Sequence, residues 1–173
     1  YGGNLLANNL GVPLSVAGQP VAVVSSLPGF IDLRLGSVGA DQLQTWMGGA
    51  GTWRDTSAQW TNENGNIAQA WAGKTAVFNT AGGGTITVEG TQAFEGLQFV
   101  ADGYALQSAV HGNGTLGGLD TAPGGSKVRV LQGVTANVGA VIGGAGGIDK
   151  TGGGTLVLSG PHIYQGETRL SGG

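Results

Sequence analysis

Two histidines, His111 and His162, are the side chains of this 173-residue chain best suited to acid–base chemistry. Each has Gly or Pro next to it, as expected for loops, and the two are far apart in sequence. A Ser–His triad needs a nucleophile within hydrogen-bond reach and a carboxylate that orients the ring. Ser108 and Ser159 lie near the histidines, but neither sits in a Gly-x-Ser-x-Gly elbow. The sequence therefore predicts no catalytic residue.

Metal and cofactor sites lack the residue patterns that they need. Zinc sites use clustered His, Cys or carboxylate ligands, and this chain has no cysteine and two isolated histidines. The glycine triplets at 82–84 and 152–154 do not open helices, as phosphate-binding loops do. We predict no metal site and no cofactor-binding residue.

The ten acidic residues are spread singly along the chain. Glycosidic or pectin-cleaving chemistry needs several carboxylates that converge on one face. Asp149 is adjacent to Lys150 and so points to the opposite side of a strand, and Glu89 and Glu95 are separated by a predicted turn. We predict solvated surface charges and no enzyme. Stacked coils could still bring distant carboxylates together, so a polysaccharide lyase of the β-helical kind is kept as a third hypothesis.

All four tryptophans fall between residues 46 and 71. Trp46, Trp53 and Trp60 are seven apart, but Gly48, Gly49 and Gly51 disfavour a helix there. Exposed indoles could form a platform on which a sugar stacks. The alternative, which we favour, is that they cover one side of a coil or cap a turn, because aromatic side chains in small folds mostly serve packing.

The composition excludes several classes of protein. Net charge is −3, and seven basic residues are scattered from Arg34 to Arg169, so no basic stripe exists for nucleic acid. Apolar runs are too short for a membrane-spanning helix. No leader follows Tyr1, so we expect any signal peptide to have been removed or to lie outside this sequence. With 37 glycines and 40% hydrophobic residues, short strands joined by tight turns are the favoured structure.

Strand-like alternation recurs at intervals of roughly ten residues, with Gly, Asn or Asp between the runs. The predicted strands are 12–16, 21–24, 30–35, 75–78, 85–88, 97–100, 104–107, 127–131, 137–142, 155–159 and 167–170. Residues 82–90 match residues 152–160 in type, an offset that corresponds to three coils of roughly 20–25 residues each. An antiparallel sandwich and a parallel β-helix both remain open; small aliphatics, glycine corners and weak repetition favour the β-helix.

Residues 143–173 carry the most specific pattern, Gly-Gly-Ile-Asp-Lys-Thr-Gly-Gly-Gly-Thr-Leu-Val-Leu-Ser-Gly followed by Tyr-Gln-Gly-Glu-Thr. This order resembles the passenger-associated repeat of bacterial autotransporters. The similarity extends upstream through the Trp/Gly segment to about residue 45. It implies an all-β fold, a right-handed parallel β-helix that is a fragment of a longer, pertactin-like passenger. We treat 1–173 as one β-helical segment, in which residues 1–45 inherit the fold only by continuity.

The resemblance also implies a function. Such segments belong to type V secretion and are displayed at the bacterial cell surface, outside the outer membrane. We expect a structural stem and autochaperone that promotes passenger folding, in which Gly154, Leu156 and Leu158 are packing and turn residues. The implied partner is the passenger's own C-terminal outer-membrane β-barrel, which is not in this chain; a host surface or glycan is a further expected partner, and nucleic acid is not. The main alternative is an adhesin or glycan-binding module that uses residues 46–71.

Overall fold

The N-terminal part of the chain contributes three short strands. The computed structural model describes the backbone of β1 (Ser15–Val16), β2 (Gln19–Val24) and β3 (Asp32–Leu35), and the whole of residues 43–61 and 68–173. These three strands pair antiparallel with one another, so they do not form the parallel coils that continuity predicts. Two residues separate β1 from β2, a spacing that permits a hairpin and excludes a parallel crossover. The remainder of predicted strands 12–16 and 30–35 lies outside the described residues.

Sixteen further strands follow. They are β4 (Leu43–Thr45), β5 (Gly51–Trp53), β6 (Trp60–Thr61), β7 (Ala68–Gln69), β8 (Thr75–Phe78), β9 (Gly84–Val88), β10 (Thr91–Phe94), β11 (Gly96–Phe99), β12 (Tyr104–Ser108), β13 (Gly118–Thr121), β14 (Ser126–Val130), β15 (Thr135–Val138), β16 (Val141–Gly144), β17 (Ile148–Thr151), β18 (Thr155–Leu158) and β19 (Thr168–Leu170). The described residues contain no α-helix, and therefore none that could span a membrane.

Three parallel sheets build a coil. The chain passes from a six-stranded sheet (β4, β8, β11, β14, β17, β19) to a five-stranded sheet (β5, β9, β12, β15, β18) and then to a three-stranded sheet (β10, β13, β16) before it returns. In the first coil the antiparallel pair β6–β7 stands in place of the third strand, and in the last full coil a single parallel bridge between Ile142 and His162 does so. The architecture is a parallel β-helix, and the sandwich is excluded.

The core consists of columns of like residues, one from each coil. Ile86, Leu106, Val138 and Leu158 lie above one another in the five-stranded sheet. The first three are fully buried, and Leu158 is half-buried because it lies nearer the C-terminal end. In the six-stranded sheet the Phe78 and Phe99 rings stack at 4.8 Å between centroids. Parallel strands about 4.8 Å apart place side chains at the same height in register, which makes like-over-like stacking possible.

The matching segments 82–90 and 152–160 do lie three coils apart, but the strand register of the structure differs from the sequence match. Thr85 stacks in turn on Ala105, Asn137 and Val157, so successive coils take 20, 32 and 20 residues. The middle coil is longer because a small hairpin, closed by an antiparallel bridge between Val110 and Leu116, projects between β12 and β13. The sequence match aligns Thr85 with Thr155, whereas the structure aligns it with Val157. Because side chains alternate between the two faces of a strand, this shift of two residues leaves the same side chains facing the core.

One predicted strand is two strands in the structure. The run 137–142 divides between the end of β15 and the start of β16, because the chain turns a corner at Gly139 and Ala140. An added Cβ at Gly139 would lie 3.3 Å from the Ser159 hydroxyl, so the corner is tight. Alternating apolar residues continue through this corner in the sequence, and their periodicity therefore hides it.

Candidate functional site

A tryptophan cap, formed by Trp46, Trp53, Trp60 and Trp71, fills the first coil. Trp60 is its centre, with ring centroids 5.1 Å from Trp46, 4.8 Å from Trp53 and 4.6 Å from Trp71. The cluster rests on Phe78, whose ring lies 5.8 Å from that of Trp60. Such edge-on and tilted arrangements are the geometries that aromatic pairs prefer.

Burial decides what the tryptophan cap does. Trp53 and Trp60 are 0% exposed and Trp46 is 1% exposed, while the Trp71 indole N–H donates to the backbone oxygen of Ala93 at 2.7 Å. A sugar cannot stack on rings that no solvent reaches. The hypothesis of a glycan platform is therefore wrong for Trp46, Trp53 and Trp60, for which the packing interpretation is confirmed. Trp71 is half-buried and packs against the same core.

The opposite end of the stack contains a lysine inside the core. Lys150 lies on the inner face of β17, is 5% exposed, and pairs in register with Val128 of β14 and Leu170 of β19. Its Nζ donates to the backbone oxygens of Gly152 at 2.6 Å, Gly154 at 2.5 Å and Gly172 at 2.8 Å. An ammonium group has three N–H donors, so each donor has an acceptor. We call this arrangement the Lys150 pin.

The Lys150 pin joins two segments that are distant in sequence. Gly152 and Gly154 belong to the turn between β17 and β18, and Gly172 follows β19. At Gly154 an added Cβ would lie 2.1 Å from the Leu131 backbone oxygen, so this turn admits only glycine. The next residues, Leu156 and Leu158, turn half-buried side chains toward the core.

The histidines do not meet a nucleophile. His111 is exposed on the hairpin between β12 and β13. His162 is half-buried, and burial lowers the pKa of its imidazole. The Ser108 hydroxyl donates to the Gly117 backbone oxygen at 2.5 Å and accepts from the Val141 N–H at 3.0 Å, so it braces a corner.

The acidic side chains also serve local contacts. Glu89 lies 3.6 Å from Arg54 and Glu95 lies 2.8 Å from Lys74, both at the surface. Asp149 accepts a hydrogen bond from the Ser171 hydroxyl at 2.6 Å. Within residues 43–61 and 68–173, no three His, Cys, Asp or Glu side chains form a group that could hold a metal ion.

Stability should decrease as the pH falls through the range in which histidine titrates. Burial disfavours the His162 imidazolium, so the folded-state pKa lies below its ordinary value of 6.5. The unfolded chain therefore takes up the proton first, and the free energy of unfolding falls as the pH drops below about 6.5. Asp55, whose pKa is lowered by a hydrogen bond from Gln92, titrates below this window.

The measurement is guanidinium unfolding at several pH values between about 5 and 7.5. His162→Gln should flatten the dependence, whereas His111→Gln, at an exposed position, should leave it unchanged. An unchanged slope in His162→Gln would assign the titration to another group.

In-register parallel coils around a buried apolar core, with tryptophans packed in the first coil, define a parallel β-solenoid. No family model and no solved structure matches the chain. The adhesin BmaC autotransporter of Brucella suis biovar 1 (strain 1330) is 34% identical to it over 142 residues, which is 73% of this chain. The chain spans 4% of the length of that relative. Together with the fold, this similarity confirms the resemblance: the chain belongs to the autotransporter passengers.

Proposed function

We propose that this chain is a structural stem and autochaperone segment of an autotransporter passenger, displayed on the outside of the bacterial outer membrane. It acts on its own polypeptide: coils that form first present an ordered edge on which neighbouring coils pair. In this role the segment performs no enzymatic reaction and needs no cofactor. The translocating β-barrel of the same parent protein is its expected partner.

The observation that carries the proposal is the uninterrupted register through the C-terminal coils. β14 pairs with β17, and β17 with β19, while β15 pairs with β18, all parallel and without a bulge in the register. Each coil of a solenoid contacts only its neighbours, so the first stable coil is the costly one and later coils add to a preformed edge. Burial and backbone hydrogen bonds drive this growth, which therefore needs no ATP.

The Lys150 pin makes the C-terminal coil a suitable starting point. Its three hydrogen bonds join the turn after β17 to the chain after β19, and so hold both ends of one coil together. The coil at the opposite end depends instead on the tryptophan cap and on the pair β6–β7. An autochaperone requires that folding begin in the C-terminal coils and proceed toward the tryptophan cap.

Pulsed hydrogen exchange during refolding from guanidinium tests this order. We expect the backbone amides of β14, β15 and β17 to become protected before those of β4, β5 and β8. Trp60→Ala should delay protection in the first coil and leave the C-terminal phase unchanged, because contacts in a solenoid are local.

Either of two results would contradict the proposal. If the amides of the first coil became protected first, templating would run in the opposite direction. If all strands became protected in a single phase, there would be no templating. The solenoid assignment itself would survive both results, since it rests on strand pairing and not on folding order.

A role in adhesion is the second candidate, and it concerns the longer parent protein. It is favoured by the similarity to the Brucella relative, which is an adhesin. Three rings of the tryptophan cap, those of Trp46, Trp53 and Trp60, are not available for this role because they are buried. The test is to measure binding of the parent protein to host cells with and without this segment. If the segment itself adheres, its removal abolishes binding; if it is a stem, the adhesive activity belongs to another region.

A further inference from the structure

The outer face of the six-stranded sheet contains a groove above Gly96. In the register of this sheet, Gly96 lies between Thr75 of β8 and Lys127 of β14. Because glycine has no side chain, the row of outward side chains is interrupted there, and a cleft of about 480 Å³ remains. Gln98, Arg129 and Thr151 line it one step further along the strands.

Two cations at this groove have no acidic partner. Lys127 and Arg129 are both exposed on β14, two residues apart and so on the same face. No carboxylate among the described residues lies within 4.0 Å of either. Glu95 also lines the groove, but its carboxylate is paired with Lys74 at 2.8 Å. Asp149, the register neighbour of Lys127, accepts a hydrogen bond from Ser171.

The other basic side chains of the described β-helix are engaged elsewhere. Arg54 faces Glu89, Arg169 faces Glu167, and Lys150 is inside the core. In a chain whose net charge is −3, the pair Lys127–Arg129 is therefore a local site of positive charge beside a cleft. Arginine forms bidentate hydrogen bonds with planar anions such as carboxylates, and lysine adds a point charge.

The neutral lining of the groove indicates what kind of anion fits. Gln98 offers an amide that both donates and accepts, and Thr75 and Thr151 offer hydroxyls. None of the lining residues is aromatic, so the groove has no ring on which a nucleobase could stack. Two cations also supply few phosphate contacts.

We infer that this groove binds an acidic polysaccharide, with its carboxylate or sulfate groups on Lys127 and Arg129 and its hydroxyls on Gln98, Thr75 and Thr151. The inference goes beyond the stem role. It concerns the outer face of the six-stranded sheet, which does not take part in the pairing between coils. Carboxylated and sulfated sugars share the chemistry that these residues recognise.

Titration calorimetry of the whole chain at low salt tests the inference, with polygalacturonate, heparin and neutral dextran as probes. We expect binding to at least one acidic probe and none to dextran. The preference between the two acidic probes distinguishes carboxylate from sulfate recognition. Lys127→Gln with Arg129→Gln should weaken binding about tenfold or more, the loss expected for charge-assisted hydrogen bonds. Arg54→Gln, which removes an exposed charge away from the groove, is the matched control and should bind as the wild type does.

A third variant separates recognition from ion exchange. Gln98→Leu leaves the charge unchanged and removes the amide, so affinity for the preferred probe should fall while its salt dependence stays the same. The inference would be overturned if Gln98→Leu bound with wild-type affinity, or if Arg54→Gln lost as much affinity as the double variant. It would also be overturned if a single-stranded oligonucleotide bound more tightly than either polysaccharide. The absence of binding to both acidic probes would overturn it as well.

Discussion

Replacing Lys150 by Met is expected to lower the free energy of unfolding by about 3 kcal/mol. Methionine fills most of the same volume but leaves three backbone oxygens, those of Gly152, Gly154 and Gly172, without a donor. The bond to Gly154 is buried and the other two are partly buried. A buried acceptor that loses its partner costs about 1–3 kcal/mol, and this cost is partly offset because no ammonium has to be desolvated. Equilibrium unfolding in guanidinium, followed by far-UV circular dichroism, measures the change.

Lys127→Met is the matched control for this prediction. It is the same substitution one strand away, on the exposed outer face of β14. Surface changes of this kind stay within about 0.5 kcal/mol. If Lys150→Met proved as stable as the wild type or more stable, the pin would be dispensable for stability. Burial of charge can indeed be less favourable than an apolar replacement.

A lysine in this column has a consequence for register as well as for stability. Above it in the six-stranded sheet lie Ala76, Leu97 and Val128, which are apolar and would tolerate a coil shifted by two residues. Lys150 does not tolerate it, because its Nζ finds three carbonyls only in the observed register. The coil that is proposed to fold first is thus also the one whose alignment is fixed by a polar contact.

The predicted strands cover most of the six-stranded and five-stranded sheets but omit β4, β5 and β17, and they cover the three-stranded sheet poorly. The predicted strands 75–78 and 155–159 are short apolar-rich runs near glycine turns, and the structure places both within one residue of the prediction. The three-stranded sheet turns Gln92 and Thr121 inward. Gln92 donates to Asp55 at 3.1 Å and Thr121 to the Gly146 backbone oxygen at 2.9 Å. These inward polar residues interrupt the apolar positions Phe94, Leu119 and Ile142, so the periodicity is weak there.

The Lys150 pin shows a second limit of prediction from sequence. A lysine beside Asp149 has the appearance of a surface charge, and its burial depends on carbonyls supplied by a turn and by the end of β19. Alternation does place Lys150 and Asp149 on opposite faces, as predicted. Which of the two faces is inside follows only from the register with Val128, which is long-range information.

Trp60→Ala should unfold the first coil of the β-helix and leave the later coils folded. Trp60 is fully buried among three other indoles and Phe78. Loss of a buried tryptophan costs about 3–5 kcal/mol, and the lost aromatic pairs are part of that cost. Because contacts in a solenoid are between neighbouring coils, the damage should stay near the cap. Tryptophan fluorescence, which reports on residues 46–71, should then change at lower guanidinium concentration than circular dichroism.

The two probes distinguish a modular solenoid from a single cooperative unit. Trp60→Phe, which keeps an aromatic ring on Phe78, should show a smaller separation between the two transitions than Trp60→Ala. Lys150→Met should instead move the circular dichroism transition, because its contacts lie in β17 and in the segments that β17 joins. If Trp60→Ala shifts both signals together and by the same amount, the coils unfold as one. A C-terminal core that persists without the cap would then not exist, and templating from that end would lose its physical basis.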